Sequence, residues 1–144
     1  MPDFELKDQN GNLVRSEDFR GRKLLVYFYP KADTPGCTKQ ACSVRDSREN
    51  LSGLGVAAVG ISPDKMEMQK KFEDKYDLNF PLLSDTDRTV AEQFGVWGEK
   101  SLYGKTVLGI IRSSFLVDEE GKIIEAWYKV KPLDTVPNVR KVLQ

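Results

Sequence analysis

Two nearly continuous apolar runs, KLLVYFY (Lys23 to Tyr29) and VAAVGIS (Val56 to Ser62), constrain the fold of this chain more than any other feature. A strand with one face in water alternates apolar and polar residues, whereas an unbroken run reads as a strand covered on both faces. Both segments are therefore central strands. Pro30 stops the first. Between them Thr34 followed by Pro35 reads as an N-cap with proline at the first helical position, and Ala41, Val44 and Leu51 keep helical spacing, so the connection is a helix.

Around this βαβ unit the remaining signals fall into place. FELKDQNGNLV at the front is a small hairpin on its Asn10-Gly11 turn. Ser62-Pro63 opens another helix, with Met68, Phe72 and Tyr76 on one face, and FPLLSD after it is a short extended segment. Asp85 to Phe94 reads as a shorter helix with Val90, Ala91 and Phe94 inside and Gly95 as its stop. SSFLVDEEGKIIEAWY is a hairpin turning near Gly121, and a last helix carries Val136, Val139 and Leu143 on one stripe. Gly95 to Arg112, the least regular piece, is expected to be a surface loop. This order predicts one α/β domain over residues 1–144, a mixed central sheet with helices on both faces and an N-terminal hairpin extension, which is a thioredoxin-like arrangement. A chain of 144 residues can bury such a core without disulfide staples.

Composition removes many functions. Lys+Arg and Asp+Glu both number 22, so nothing in the balance marks a nucleic-acid or anionic-membrane partner. The opening MPDFELKDQNGN has neither a basic nor an apolar leader region, and no run approaches membrane-span length; a cytoplasmic protein is expected. There is no histidine, which excludes Cys-His and Ser-His catalysis and His-ligated metal.

The chain's two cysteines, Cys37 and Cys42, both lie in PKADTPGCTKQAC. With Thr34 as N-cap, Cys37 is the third residue of the first helical turn, where free backbone N–H groups and the positive end of the helix dipole favour thiolate over thiol. A free cysteine is only a few per cent thiolate at neutral pH, so full ionisation accelerates it by about 30-fold at most. Faster chemistry needs an oriented substrate and a stabilised leaving group; the Thr34 hydroxyl and a cation from elsewhere are the candidates. The alternative for Cys37 is a buried small hydrophobe, and for Cys42, beside Ala41 in mid-helix, simple packing. The spacing C-x4-C is not that of a C-x2-C dithiol oxidoreductase, and two cysteines without histidine cannot make a four-ligand zinc site. A cysteine-phosphatase pattern would want arginine six positions after the nucleophile, where Ser43 stands.

Pro30, Thr34 and Cys37 form P-x3-[TS]-x2-C, the signature of the peroxiredoxins, and Arg112 before SSFLVDEEGKI resembles their second active-site motif. TPGCTKQACSVRD, FPLLSD and YGKTVLGIIRSSFLVD are similar to the bacterioferritin comigratory protein, or peroxiredoxin Q, branch, and the resemblance covers essentially the whole chain. It implies a thiol peroxidase without metal, haem or flavin. Cys37 would attack a hydroperoxide and become a sulfenic acid. Thr34 would hydrogen-bond peroxide and thiolate, Arg112 would stabilise the thiolate and the developing negative charge, and Pro30 would shield the site. Cys42 would resolve the sulfenic acid as an intramolecular disulfide, which thioredoxin or a similar dithiol would reduce; a monomer is expected. Ser114 departs from the threonine of the pattern but keeps the hydroxyl. On one intact helix the two cysteine Cα atoms would be ~8.6 Å apart, beyond the reach of a disulfide. The pairing would therefore require the helix to unwind. A thiol:disulfide oxidoreductase on the same fold and a non-catalytic thioredoxin-like binding module remain the alternatives.

Overall fold

The computed structural model describes residues 1–143. The chain runs through β1 (Glu5–Lys7), β2 (Leu13–Arg15), β3 (Lys23–Phe28), α1 (Pro35–Asp46), α2 (Arg48–Gly53), β4 (Val56–Ser62), α3 (Met66–Tyr76), β5 (Leu82–Ser84), α4 (Thr89–Gln93), β6 (Trp97–Leu102), β7 (Lys105–Ile110), β8 (Ser113–Val117), β9 (Ile123–Trp127) and α5 (Thr135–Leu143). Seven strands form one sheet in the order β2-β1-β5-β4-β3-β8-β9. β3, β4 and β5 are mutually parallel, while β8 pairs antiparallel with β3 and β9 with β8 on one side, and β1 antiparallel with β5 and β2 with β1 on the other. This is the mixed sheet with a front hairpin that the apolar runs imply.

The unbroken run of β3 has the cause expected of it. Leu25, Tyr27 and Tyr29 enter one core with Ala41 and Val44 of α1, Phe72 of α3 and Val136 and Val139 of α5. Leu24, Val26 and Phe28 point the other way, into a second core with Phe94, Phe115 and Val90. Successive side chains of a strand alternate between faces, and here both faces are covered.

Three expectations need correction. Gly95 to Arg112 is not a loop: β6 and β7 pair antiparallel from Trp97↔Ile110 to Leu102↔Lys105. Tyr103 and Gly104 between them both have positive φ, 51° and 77°, the geometry of a two-residue hairpin turn matched to strand twist. Its glycines are structural: a Cβ at Gly109 would sit 2.8 Å from Lys100 Cε, so the lysine stem lies across bare backbone. The connection from β3 to β4 is two helices, broken at Ser47. Finally, α3 begins at Met66 rather than at Pro63, and Met68 is 40% exposed. The inward position belongs instead to Gln69, whose amide is fully paired: Nε2 donates to Ser62 Oγ at 2.8 Å and to Leu83 O at 3.0 Å, and Oε1 accepts from the Tyr29 hydroxyl. A polar residue so satisfied can occupy a core position that hydrophobic spacing assigns to its neighbours.

Candidate active site

β3 ends at its carboxyl edge and the chain turns through Pro30 to Thr34 into α1. Thr34 is extended at φ −90° and ψ 156°, the dihedrals of an N-cap, and Pro35 occupies the first helical position, where its missing N–H costs nothing. Cys37 follows in the first turn and is 1% exposed. The turn is held from both sides. Ala32 N donates to Asp64 Oδ2 at 2.7 Å, and Asp33, in the left-handed region at φ 61°, accepts from Lys75 Nζ and from the Tyr76 hydroxyl, each at 2.9 Å.

Across from this turn, between β7 and β8, stands Arg112. Its Nη2 donates to Cys37 Sγ at 3.4 Å, and Nη1 donates to Gln40 Oε1 at 2.6 Å. The structure thus joins two residues 75 positions apart in sequence. Gln40 Nε2 in turn donates to Thr135 Oγ1 at 2.9 Å, tying α1 to the start of α5. The Arg112 carbonyl accepts from Val130 N at 2.9 Å, which fixes the backbone that aims the side chain. Gly36 gives the guanidinium its room. A Cβ there would lie 3.0 Å from Arg112 Nη2 and 3.5 Å from Pro132 Cγ.

The other sequence candidates fall around this pair. The Thr34 hydroxyl donates to Lys31 O at 2.7 Å, leaving its lone pairs free, and makes no hydrogen bond to Cys37. Pro30 is half-buried and shares a groove of about 460 Å³ with Arg112, Ile110, Lys100, Lys129 and Val130, so the sheet edge is open to a small molecule beside the guanidinium. Cys42 lies on the same intact helix, half-buried against the core, and both thiols are free. Ser114 is fully buried on β8 beside Tyr27. Sequence reasoning missed Gly36, Gln40 and Thr135. Gln40 had a signal: a polar side chain three residues after Cys37 shares its helix face, and it is fully buried.

Below the thiol lie Tyr27 and Tyr29, with ring centroids 5.6 Å apart. Burial, above all, pushes both hydroxyls well above the ordinary tyrosine range, and the neighbouring Cys37 adds to the effect. They stay neutral and leave the positive charge of Arg112 to the sulfur. The arrangement is a buried cysteine at a helix start, a cation in contact with it, and a groove that reaches the cation.

The AhpC/TSA family profile matches residues 1–126. The chain belongs to the AhpC/TSA family. Peroxiredoxin Bcp of Escherichia coli K12 is 58% identical over 122 residues, covering 85% of this chain and 78% of that protein. Peroxiredoxin Bcp of Bacillus subtilis 168 is 45% identical over 143 residues, covering 99% and 91%. The solved bacterioferritin comigratory protein of Xanthomonas campestris superposes with a TM-score of 0.90 at 35% identity, covering 97% of this chain and 89% of that one. The protein is a peroxiredoxin of the Bcp, or peroxiredoxin Q, branch, with the peroxiredoxin thioredoxin-like fold, and a thiol peroxidase. Among the described residues, no helix of this peroxiredoxin is long and apolar enough to cross a membrane.

Proposed function

We propose that Cys37 is the peroxidatic residue and that Cys42 resolves it. The observation that carries this reading is the 3.4 Å contact from Arg112 Nη2 to the Cys37 sulfur at the start of α1. The Cys37 thiolate attacks the terminal oxygen of a hydroperoxide ROOH; an S–O bond forms, the O–O bond breaks, and RO⁻ leaves and takes a proton as ROH. The sulfur is oxidised by two electrons to a sulfenic acid and the peroxide is reduced by two. Arg112 lies where it can stabilise both the attacking anion and the charge that grows on the departing oxygen, the role of a preorganised donor. Thr34, with lone pairs to accept and a hydroxyl that can turn from Lys31, orients the peroxide. Pro30 limits water at the sheet edge.

The Cys42 thiol then displaces water from the sulfenic acid, giving an intramolecular disulfide. An external dithiol of the thioredoxin kind reduces it by exchange and is itself oxidised. The chemistry draws its electrons from sulfur throughout. The Xanthomonas campestris protein has alkyl peroxide reduction activity, and the groove beside Arg112, walled partly by Ile110, Pro30 and Val130, has apolar surface for an organic R group. Hydrogen peroxide and alkyl hydroperoxides are both substrates in this reading, and the enzyme works in the cytoplasm as a monomer. The test is peroxide consumption with a thioredoxin system. Wild type turns over, Cys37→Ser does not, and Cys42→Ser completes one turnover and stops as a sulfenic acid. Full activity of Cys37→Ser would overturn the assignment.

A further inference from the structure

The second cavity of interest lies at the opposite pole of the sheet. β3 and β4 begin there, at Lys23 and Val56, and the six residue steps of β4 put it ~20 Å from the carboxyl edge that carries Cys37. The space is about 370 Å³, within the size range of small-ligand pockets. Its floor is apolar, made by Leu51 of α2, Val56 and Ala58 of β4, and Phe80. Two guanidiniums stand on its wall, Arg22 and Arg48, and among the described residues no carboxylate lines it. Among the described residues neither arginine is ion-paired. Each is nevertheless held. Arg22 lies over the Phe19 ring with its guanidinium carbon 5.2 Å from the centroid, and Arg48 donates to the Asn79 carbonyl.

Arg15 meets Glu5, Arg45 meets Asp46 and Lys75 meets Asp33, whereas at this cavity two guanidiniums share one wall. Two arginines oriented by an aromatic ring and a carbonyl, over an apolar floor, form a recognition surface for an anion. The planar fork of arginine matches a carboxylate, and the floor suits hydrocarbon rather than a second charge. We infer that this cavity binds a small amphipathic carboxylate, its head between Arg22 and Arg48 and its apolar body on Leu51, Val56 and Phe80. The site is separate from the groove at Arg112: the two share no lining residue, and none of the residues here hydrogen-bonds Cys37 or Arg112.

Octanoate is the probe, followed by backbone amide NMR on the reduced protein. Saturable shifts at Arg48, Ser52, Gly55, Ala57 and Asn79 are expected, with 1-octanol and inorganic phosphate each binding about tenfold more weakly, since a charge-assisted hydrogen bond to the head and the apolar body each contribute on that scale. Arg22→Gln with Arg48→Gln should weaken octanoate by about tenfold or more and leave peroxide turnover unchanged. Three results would overturn the inference: octanol binding as tightly as octanoate, phosphate competing as well as octanoate, or shifts confined to the groove at Pro30 and Val130.

Discussion

On the proposed assignment Arg112 has two separable duties, and its variants distinguish them. Holding a thiolate in place of a thiol accounts for about 30-fold at neutral pH, whereas stabilising the oxygen that leaves acts only as the O–O bond breaks. Arg112→Met should therefore lower the peroxide rate constant by well over about 30-fold, and raising the pH should restore only part of it. Stopped-flow oxidation of Cys37 measures this, and complete recovery at high pH would leave Arg112 with the first duty alone. Gln40 acts one step away. It accepts from Nη1 at 2.6 Å while Nη2 faces the sulfur, so it sets the angle of the guanidinium without a hydrogen bond of its own to the thiol. Gln40→Leu removes that anchor and leaves Thr135 Oγ1 without its donor. The rate should fall about tenfold, whereas Gln40→Glu, which keeps an acceptor for Arg112, should retain more of it. Equal losses in the two variants would mean that Gln40 serves packing alone. Arg112 was legible in sequence through its motif. Gly36 was not, and Gln40 was marked only as a polar residue on the Cys37 helix face, because their importance lies in distances to a residue more than 70 positions away.

On the proposed assignment the element on which the chemistry turns is α1. It is whole from Pro35 to Asp46 and holds both free cysteines, yet residues five apart on a helix have Cα atoms ~8.6 Å apart and diverging side chains, and a disulfide needs less than about 7 Å. Closing the Cys37–Cys42 bond must unwind at least the first turn. Hydrogen exchange on the two redox forms should show lost protection between about Thr34 and Asp46 on oxidation, returning on reduction; a mapped bridge with unchanged protection would refute this. The unwinding has built-in limits. Asp33 is clamped to α3 by Lys75 and Tyr76, and Arg45 donates to the Tyr76 carbonyl at 2.6 Å, so both ends of the segment are tied to one helix. The hydrogen bonds from Lys75 and Tyr76 lower the Asp33 carboxyl from its ordinary 3.8. A group depressed in the folded state contributes fully above its unfolded value and loses that contribution as pH falls through the lower folded one. The clamp is accordingly constant around neutrality: Asp33→Asn should raise amide exchange at Ala32 and Asp33 at pH 7, and acid should reproduce that in wild type only below about pH 4. Much of this element was readable, since Thr34-Pro35 marks its start and Ala41 and Val44 its buried face. The break at Ser47 was not, because Leu51 keeps the helical spacing across it. The β6–β7 hairpin escaped for a related reason: Gly98 and Gly109 face each other across the pair, so two positions that would mark an alternating pattern carry no side chain, and Ile111 and Lys100 lie over them instead.

At the scale of the molecule, one sheet separates two cores, and only one of them packs against α1, the helix that carries Cys37. Val139 of α5 is fully buried in the core that contains Ala41, Val44 and Cys37, on the same side as the Gln40–Thr135 tie. Phe115 of β8 lies in the other core, with Phe28 and Phe94 centroids 6.0 and 5.1 Å away. Val139→Ala removes two methylene equivalents and leaves a cavity, about 2 kcal/mol; Phe115→Leu costs a similar amount, about 1–2 kcal/mol. Global stability then falls alike in both, as urea unfolding should show. Local opening need not. The cavity left by Val139→Ala lies under α1 and weakens the packing of α5, which holds Gln40 through Thr135, so the reduced variant should exchange its α1 amides faster and react more slowly with peroxide. Phe115→Leu loosens contacts that the whole sheet separates from α1, and its α1 exchange and peroxide rate should stay near wild type until global unfolding takes over. If both variants raise α1 exchange equally at matched stability, the two cores act as one cooperative unit, and the opening of α1 follows total stability rather than the packing of its own face.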